Sequence, residues 1–299
     1  MGQSLDRKRR AMTDAFIAAI ETAGRWLPDW ISHRAANFIT GKLYRGINSI
    51  MLPVRQMQHG WTSPLYAGLG QIKGAGGRVK DAEFRNSSWV IFWGQGKDKL
   101  DPITGEVTEK GRRWPKVSRV WNLDQCEGVK ESRIKGLPES AEGADTIEAA
   151  ETLLRGYMDA ESIRLTDGDP AYYPTLDCIS MPGHDAFHTT EGYYNALGHE
   201  CIHSTAPVYR CDRDQPGHQG GPEYSREELV AQMGAAFLRA DLGLGTDEGA
   251  DRDAAYLASW LKALKADPAM LHQAASAADK AVSFIGEKAG VAKPETADA

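Results

Sequence analysis

Five consecutive residues, His199-Glu200-Cys201-Ile202-His203, form an H-E-x-x-H pattern, the strongest chemical signal in the chain. On a helix, residues four positions apart share a face, so both imidazoles can reach one metal ion with Glu200 beside it. A catalytic zinc ion has three protein ligands and keeps one position open for water. The ion acidifies that water, and an adjacent carboxylate takes its proton. We therefore predict that His199 and His203 bind a metal ion and that Glu200 is the catalytic base.

The third metal ligand is predicted to come from the next helix. Thermolysin-like peptidases take this ligand from a later helix, often with an acid four residues further on that orients a histidine. Glu228 with Gln232 fits that spacing, whereas Glu227 would pair with Ala231, so we predict Glu228 and keep Glu227 as the alternative. Ser225 to Glu228 is also a capping-box pattern, in which Glu228 would only close the start of the helix. The expected cofactor is one divalent ion, zinc in first place, with manganese or another divalent metal as alternatives.

Other polar residues near this pattern are weaker candidates. His184, His188 and His218 fall in loop segments, where histidine is more often plain surface. Tyr172 and Tyr173 could donate hydrogen bonds to an oxyanion in the transition state, but tyrosines in such a segment more often serve in packing. Four scattered cysteines without CxxC spacing are typical of reduced thiols in a cytoplasmic protein. No stretch approaches about 18 uninterrupted apolar residues, so neither a transmembrane helix nor a membrane partner is expected.

The elements that position these residues are predicted from hydrophobic periodicity. Helical spacing of apolar residues predicts helices over 11–26, 37–52, 147–160, 191–204 (with Thr189 or Thr190 as N-cap), 225–243, 251–265 and 268–287. Runs of β-branched and aromatic residues predict strands at 87–94 and 118–128, and an edge strand at 177–181. The sequence therefore predicts an α+β protein: an α+β domain with a small sheet (1–135), a linker (136–146) and a mostly helical domain (147–299).

Charge is distributed unevenly between these two parts. The whole chain has a net charge of −6, but residues 1–135 carry 23 Lys and Arg against 13 Asp and Glu, a net charge of +10, and the rest carries −16. Seven of the eight tryptophans lie in the basic part. A basic, aromatic-rich part beside an acidic part predicts two domains with different partners.

The basic part predicts a polyanionic partner, and its aromatic residues favour single-stranded nucleic acid. In single strands, bases stack on aromatic side chains while cations follow the phosphates. The alternative is that the tryptophans form the core of a small domain and the charges form a solvated face. The residues that we predict to contact single-stranded DNA are Arg45, Trp61, Tyr66, Lys73, Arg78, Lys80 and Trp93.

Taken in order, several segments resemble the ArdC family of plasmid antirestriction proteins. In the first half these are YRGINSIML, GWTSPLY, GGRVK, VIFWG and RVWNLDQCEG; in the second they are AYYPTLDCISMP, YYNALGHECIHST and YSREELVAQMGAAFL. The resemblance covers nearly the whole chain. It implies an N-terminal single-stranded DNA-binding domain and a C-terminal zincin-like metallopeptidase domain. The first of these also resembles the N-terminal region of certain conjugative primases.

The resemblance implies a protein that helps incoming plasmid DNA survive host restriction after conjugation. By position, His199 and His203 match the family's metal ligands, Glu200 its catalytic glutamate, and Glu228 lies in the segment that the family writes as EELVAE. This chain has Gln232 where an acid is usual, and a neutral amide raises the basicity of a histidine ligand less. Two other hypotheses stay open: a DNA-tethered protease acting on a restriction enzyme or another DNA-bound protein, and a binding protein with a non-catalytic zincin domain.

Overall fold

The computed structural model describes residues 2–23, 33–102, 104–111, 113–136, 144–213, 222–245 and 254–291. In the first half, the helices are α1 (Gly2–Ala23), α2 (Asn48–His59) and α3 (Leu69–Gly74). The strands there are β1 (Ala36–Asn37), β2 (Leu65–Gly68), β3 (Arg78–Val79), β4 (Ser88–Gln95), β5 (Lys99–Leu100), β6 (Val107–Glu109), β7 (Arg113–Asn122) and β8 (Cys126–Glu127). Residues 137–143 of the predicted linker lie outside the described residues, its last three residues begin a helix, and the domain limits stay a prediction.

A four-stranded sheet with the order β1-β2-β7-β4 organises the first half. The predicted strand at 87–94 is confirmed as β4, which pairs antiparallel with β7 from Ser88↔Val120 to Gln95↔Arg113. The strand predicted at 118–128 begins earlier and ends at Asn122. There the Asn122 side chain accepts a hydrogen bond from the Asp124 N–H, which turns the chain into a short 3₁₀ segment.

The helix predicted over 37–52 is wrong in its first eleven residues, because α2 begins only at Asn48. Two glycines explain the difference: Gly41 (φ 74°) and Gly46 (φ 57°) adopt left-handed backbone conformations that end a right-handed helix. In addition, the Asn37 side chain accepts hydrogen bonds from the N–H groups of Ile39 and Thr40, which stabilises a turn. The apolar spacing of this segment therefore reflects a folded loop.

The second half is mostly helical, as predicted. Its helices are α4 (Ala144–Glu161), α5 (Thr190–Ser204), α6 (Pro222–Leu242), α7 (Ala254–Ala266) and α8 (Ala269–Lys288), and its strands are β9 (Arg164–Asp167), β10 (Ala171–Tyr173) and β11 (Cys178–Met181). The strand predicted as an edge is wrong in its position, since β11 lies between β10 and β9. All four β11 residues are buried, as expected for a central strand. The α+β class is confirmed.

Helices α1 and α2 belong to the same hydrophobic core as the helices of the second half. Phe16 of α1 and Ile50 of α2 lie in one buried cluster with Leu197 of α5, Phe237 of α6 and Leu271 of α8. The described helices include none that is long and apolar enough to cross a membrane.

A buried arginine also joins the two halves. Arg34 is 2% exposed, and its guanidinium donates to Asp241 of α6 at 3.1 Å, to Asp279 of α8 and to the Ser49 hydroxyl at 3.1 Å. Arg45 donates to the Ser283 hydroxyl at 2.7 Å and lies 3.5 Å from Asp279. Basic residues of the first half therefore neutralise acidic residues of the second.

Candidate metal centre and nucleic-acid interface

Helix α5 presents the H-E-x-x-H residues along one side. Its N-terminus is capped by Thr189, whose hydroxyl accepts the Gly192 N–H at 3.0 Å, as one of the two predicted caps. Leu197, Cys201 and Ile202 are fully buried and attach the helix to the core. Cys201 is thus a core residue, as predicted, and burial raises the pKa of its thiol.

Helix α6 places Glu228 opposite the two histidines. The Nε2 atom of His203 lies 3.1 Å from Nε2 of His199 and 3.3 Å from Oε1 of Glu228, and Nε2 of His199 lies 3.6 Å from Oε2 of Glu228. The helices approach closely because Gly234 faces Ile202, where an added Cβ would lie 2.7 Å from the isoleucine Cδ1. The three predicted ligands therefore converge, with potential ligand atoms within 4.8 Å of one another.

These three side chains fit a divalent ion in both chemistry and spacing. Two imidazoles and one carboxylate form the ligand set of thermolysin-like catalytic zinc sites. Tetrahedral ligands about 2.0–2.1 Å from an ion are roughly 3.3 Å apart, close to the observed separations of 3.1–3.6 Å. Glu200 is 8% exposed and precedes Cys201 on the same helix.

Helix α6 begins at Pro222, three residues before Ser225, so Ser225 is not an N-cap and the capping-box interpretation of Glu228 is wrong. The alternative ligand, Glu227, has another set of contacts. Glu227 is 4% exposed and accepts two hydrogen bonds from the Arg213 guanidinium, at 2.6 and 2.9 Å. Its Oε1 atom lies 3.4 Å from Nδ1 of His203, the nitrogen opposite the one that faces Glu228.

Hydrogen bonds outweigh burial in setting the pKa values of His203 and Glu228. Burial alone would lower the pKa of His203, but hydrogen bonds to Glu227 and Glu228 raise it to about 10. Burial likewise opposes ionisation of Glu228, but hydrogen bonds from His199 and His203 hold its pKa well below the usual range. The carboxylates on both sides of the His203 ring therefore favour its protonated form.

The weaker candidates have packing or surface roles. The His184 ring stacks on Tyr193 with centroids 3.7 Å apart, and His188 is exposed. Tyr172 donates its hydroxyl to Asp177 at 2.8 Å, and Tyr173 is 48% exposed. The candidate at position 218 lies outside the described residues.

Two of the residues predicted to contact DNA are committed to interior contacts. Tyr66 is fully buried and donates its hydroxyl to the Leu52 carbonyl at 2.8 Å, so a base cannot reach its ring in this structure. Arg45 is occupied by Asp279 and Ser283, as described above. In both cases the basic or aromatic side chain that predicted a DNA contact stabilises the fold.

The other predicted contacts lie at the surface but on several elements. Trp61 is half-buried and stacks on His59 with centroids 4.5 Å apart. Lys73, Arg78 and Lys80 are exposed on or next to α3 and β3. Arg78 pairs with Glu127 at 2.7 Å, and Lys80 donates to the Asp124 carbonyl at 2.8 Å.

Strands β4 and β7 combine exposed aromatic rings with cations on both faces of the strand pair, which together are called the β4–β7 surface. Trp93 is 53% exposed and Trp114 is 48% exposed. The Trp114 indole lies against Gly94, where an added Cβ would lie 2.8 Å from the ring. Lys116 shares the face of Trp114, and Arg119 lies over the Trp89 ring at 4.8 Å on the face of Trp93. Trp114, Lys116 and Arg119 were missed by the sequence prediction, although the alternation within β7 indicates that Trp114 and Lys116 share one face and that Arg119 lies on the other.

Comparisons with known proteins agree with both halves. The family model described as a zincin-like metallopeptidase matches residues 148–277. The model for the N-terminal domain of the anti-restriction factor ArdC matches residues 6–121. The second half is therefore a zincin-like domain with a candidate His-His-Glu site for a divalent ion.

Solved structures extend the similarity over almost the whole chain. The metal-free crystal structure of the antirestriction protein ArdC from plasmid R388 is 33% identical, with a TM-score of 0.73, covering 94% of this chain and 97% of that one. The Mn(II)-bound structure of ArdC from R388 is 31% identical over the same shares, also with a TM-score of 0.73. The chain therefore belongs to the ArdC antirestriction family.

Two curated relatives place this fold in different contexts. The DNA primase TraC of Escherichia coli is 32% identical over 281 residues, which are 87% of this chain and 25% of the primase. The uncharacterized protein y4eC of Sinorhizobium fredii is 30% identical over 285 residues, which are 92% of this chain and 90% of y4eC. The chain thus spans about a quarter of the length of TraC.

Proposed function

We propose that this protein binds single-stranded DNA in the cytoplasm and protects incoming conjugative plasmid DNA from host restriction. The observation that carries the proposal is the β4–β7 surface, where exposed Trp93 shares one face of the strand pair with Arg119 and exposed Trp114 shares the opposite face with Lys116. Membership of the ArdC family supplies the biological context. DNA coated by such a protein would be sterically blocked from enzymes that recognise it.

The chemistry of this surface favours single strands over duplex. Every base has a face that stacks on an indole, at about 1–3 kcal/mol per base, and paired bases present no free face. Lys116 and Arg119 would contact phosphates, a contribution that salt weakens. The half-buried rings of Trp61 and Phe92 pack against the cluster beneath the face of Trp114 and would support it.

Alanine substitutions of Trp93 and Trp114 test this proposal. Each should weaken binding of a labelled single-stranded oligonucleotide by about 1–3 kcal/mol, because one stacking platform is lost. Tyr173→Ala is the matched control, since Tyr173 is as exposed as Trp114 but lies on β10. Unchanged affinity in both tryptophan variants, or equal affinity of the wild type for duplex and single strands at the same salt concentration, would contradict the proposal.

We further propose that His199, His203 and Glu228 hold a divalent ion, zinc or manganese, in a hydrolytic centre. ArdC of plasmid R388 has a Mn(II)-bound structure, which supports this choice of metals. Such an ion polarises a carbonyl and lowers the pKa of bound water. The role of this chain's Glu200 would be to accept the proton of that water and return it to the leaving amine.

Glu200→Gln separates an enzymatic from a non-catalytic role of this centre. The variant keeps the size of the side chain, so folding, metal binding and DNA binding should persist. If hydrolysis is part of the function and limits protection, the number of restricting recipient cells that retain the transferred plasmid should fall by about two or more orders of magnitude. Full protection by this variant would leave DNA binding as the mechanism and contradict the hydrolytic proposal.

A further inference from the structure

The contacts of Glu227 and Arg213 extend from the candidate metal centre to the end of α5. Arg213 follows α5 by nine residues, and the loop before it folds back so that its backbone N–H donates to the Ala206 carbonyl at 2.9 Å. Its guanidinium then lies between the last turn of α5 and the first turns of α6. This loop therefore determines where the charge of Arg213 is placed.

The Arg213 guanidinium makes contacts in three directions. It donates to the Ile202 carbonyl at 2.8 Å, to the Thr205 hydroxyl at 2.7 Å and to both oxygens of Glu227. The Ile202 carbonyl lies in the last turn of α5, where it also accepts from the Thr205 N–H at 3.1 Å and from the Thr205 hydroxyl at 2.7 Å. Arg213 thus fixes the end of α5 and the carboxylate of Glu227 with one rigid group.

Glu227 in turn faces His203 from the side away from the candidate ion. Its Oε1 atom is 3.4 Å from Nδ1, while Nε2 of the same ring is 3.3 Å from Glu228. A histidine that binds a metal through Nε2 donates its Nδ1–H to such an acceptor, which sets the tautomer and the orientation of the ring.

We infer that Glu227, held by Arg213, is a positioning residue for the metal ligand His203, and that it supplies the acidic partner that Gln232 does not. The inference rests on the proposed function only in requiring that a divalent ion binds. The charged partner of the His203 ring is then Glu227, which Arg213 holds in place. It does not come from position 232, one turn further along α6.

Metal affinity tests this inference without a peptidase assay. In competition with a chromophoric chelator, Glu227→Gln should bind Zn(II) and Mn(II) about 10–100-fold more weakly than the wild type. The matched control is Glu161→Gln, which removes a carboxylate that accepts from Arg210 at 2.8 Å and has a side chain only 11% exposed. The control should lose stability but bind metal within about twofold of the wild type. Affinity unchanged in Glu227→Gln, or reduced equally in the control, would overturn the inference.

Two further measurements exclude a folding artefact. The Arg213→Met, Glu227→Gln double variant removes both charges of the buried pair, so it should fold better than the single variant yet still bind metal weakly. In the zinc-loaded wild type, the imidazole ¹⁵N spectrum should show the His203 proton on Nδ1; a proton on Nε2 would overturn the inference. If the wild type binds neither metal, the proposed centre itself fails, an outcome distinct from the others.

Discussion

Gly234 shows how one residue controls the geometry of the candidate centre. An added Cβ would meet three side-chain carbons of Ile202 at 2.7–3.0 Å, and Ile202 adjoins His203. We predict that Gly234→Ala pushes α5 from α6 and costs about 1–3 kcal/mol of unfolding free energy, despite the higher helix propensity of alanine. Metal affinity should fall as well, because Glu228 moves with α6. Thermal unfolding and chelator competition measure both effects.

Two comparisons separate this crowding from a general effect of alanine. In an Ile202→Ala background, Gly234→Ala should cost nothing, because the clashing atoms are gone. Gly286→Ala in α8 places its Cβ in open space and should stabilise the protein by up to about 1 kcal/mol. An equal loss with and without Ile202 would show that the close approach of the helices is not the cause.

At the scale of elements, Arg210 is a second arginine that binds the end of α5. Its guanidinium donates to the Ser204 carbonyl at 2.7 Å, to both oxygens of Asp177 at 2.7–2.8 Å and to Glu161 at 2.8 Å. Burial opposes ionisation of both acids, but hydrogen bonds outweigh burial and lower their pKa values. Glu161 accepts these hydrogen bonds from Lys288 and Arg210. Asp177 accepts them from Arg210 and Tyr172.

This cluster predicts a dependence of stability on pH. Both acids have a lower pKa folded than unfolded, so the unfolded chain binds more protons as the solution is acidified. Their contribution is complete above the unfolded pKa values of about 4 and is lost as pH falls through the folded values. Urea unfolding should therefore show that the free energy of unfolding falls less between pH 6 and pH 3 in Asp177→Asn than in the wild type. Parallel curves would contradict the prediction.

The elements also show what the sequence could predict. Helices α4, α7 and α8 and strand β4 have regular apolar patterns, and His199, His203 and Glu228 follow from the spacing of polar residues within and between α5 and α6. The start of α2 depended on Gly41 and Gly46, whose left-handed conformations apolar spacing does not reveal. The position of Arg213 depends on how an irregular loop folds back, which no local periodicity encodes.

At the scale of the whole molecule, the charge asymmetry has an internal use as well as an external one. Part of the basic excess of residues 1–135 pairs with acidic residues of the second half, as Arg34 does with Asp241 and Asp279. One pair has the opposite polarity, since Lys265 of α7 pairs with Glu21 of the first half. Arg45, predicted to contact DNA, also belongs to this interface. The charge on the β4–β7 surface is therefore a better guide to DNA binding than the net charge of the half.

A shared core and a buried ion pair predict that the two halves unfold together. Tryptophan fluorescence reports mainly on the first half, which holds seven of the eight tryptophans, and far-ultraviolet circular dichroism reports mainly on α4–α8. Both signals should give one transition.

Arg34→Met should lower the free energy of unfolding measured by both signals by about 3–5 kcal/mol, because it leaves Asp241 and Asp279 without their shared buried partner. Arg155→Met, which removes the half-exposed pair with Glu151, should cost less than about 1 kcal/mol. Separate transitions in the wild type, or a shift of only one signal in Arg34→Met, would show that the halves are energetically independent.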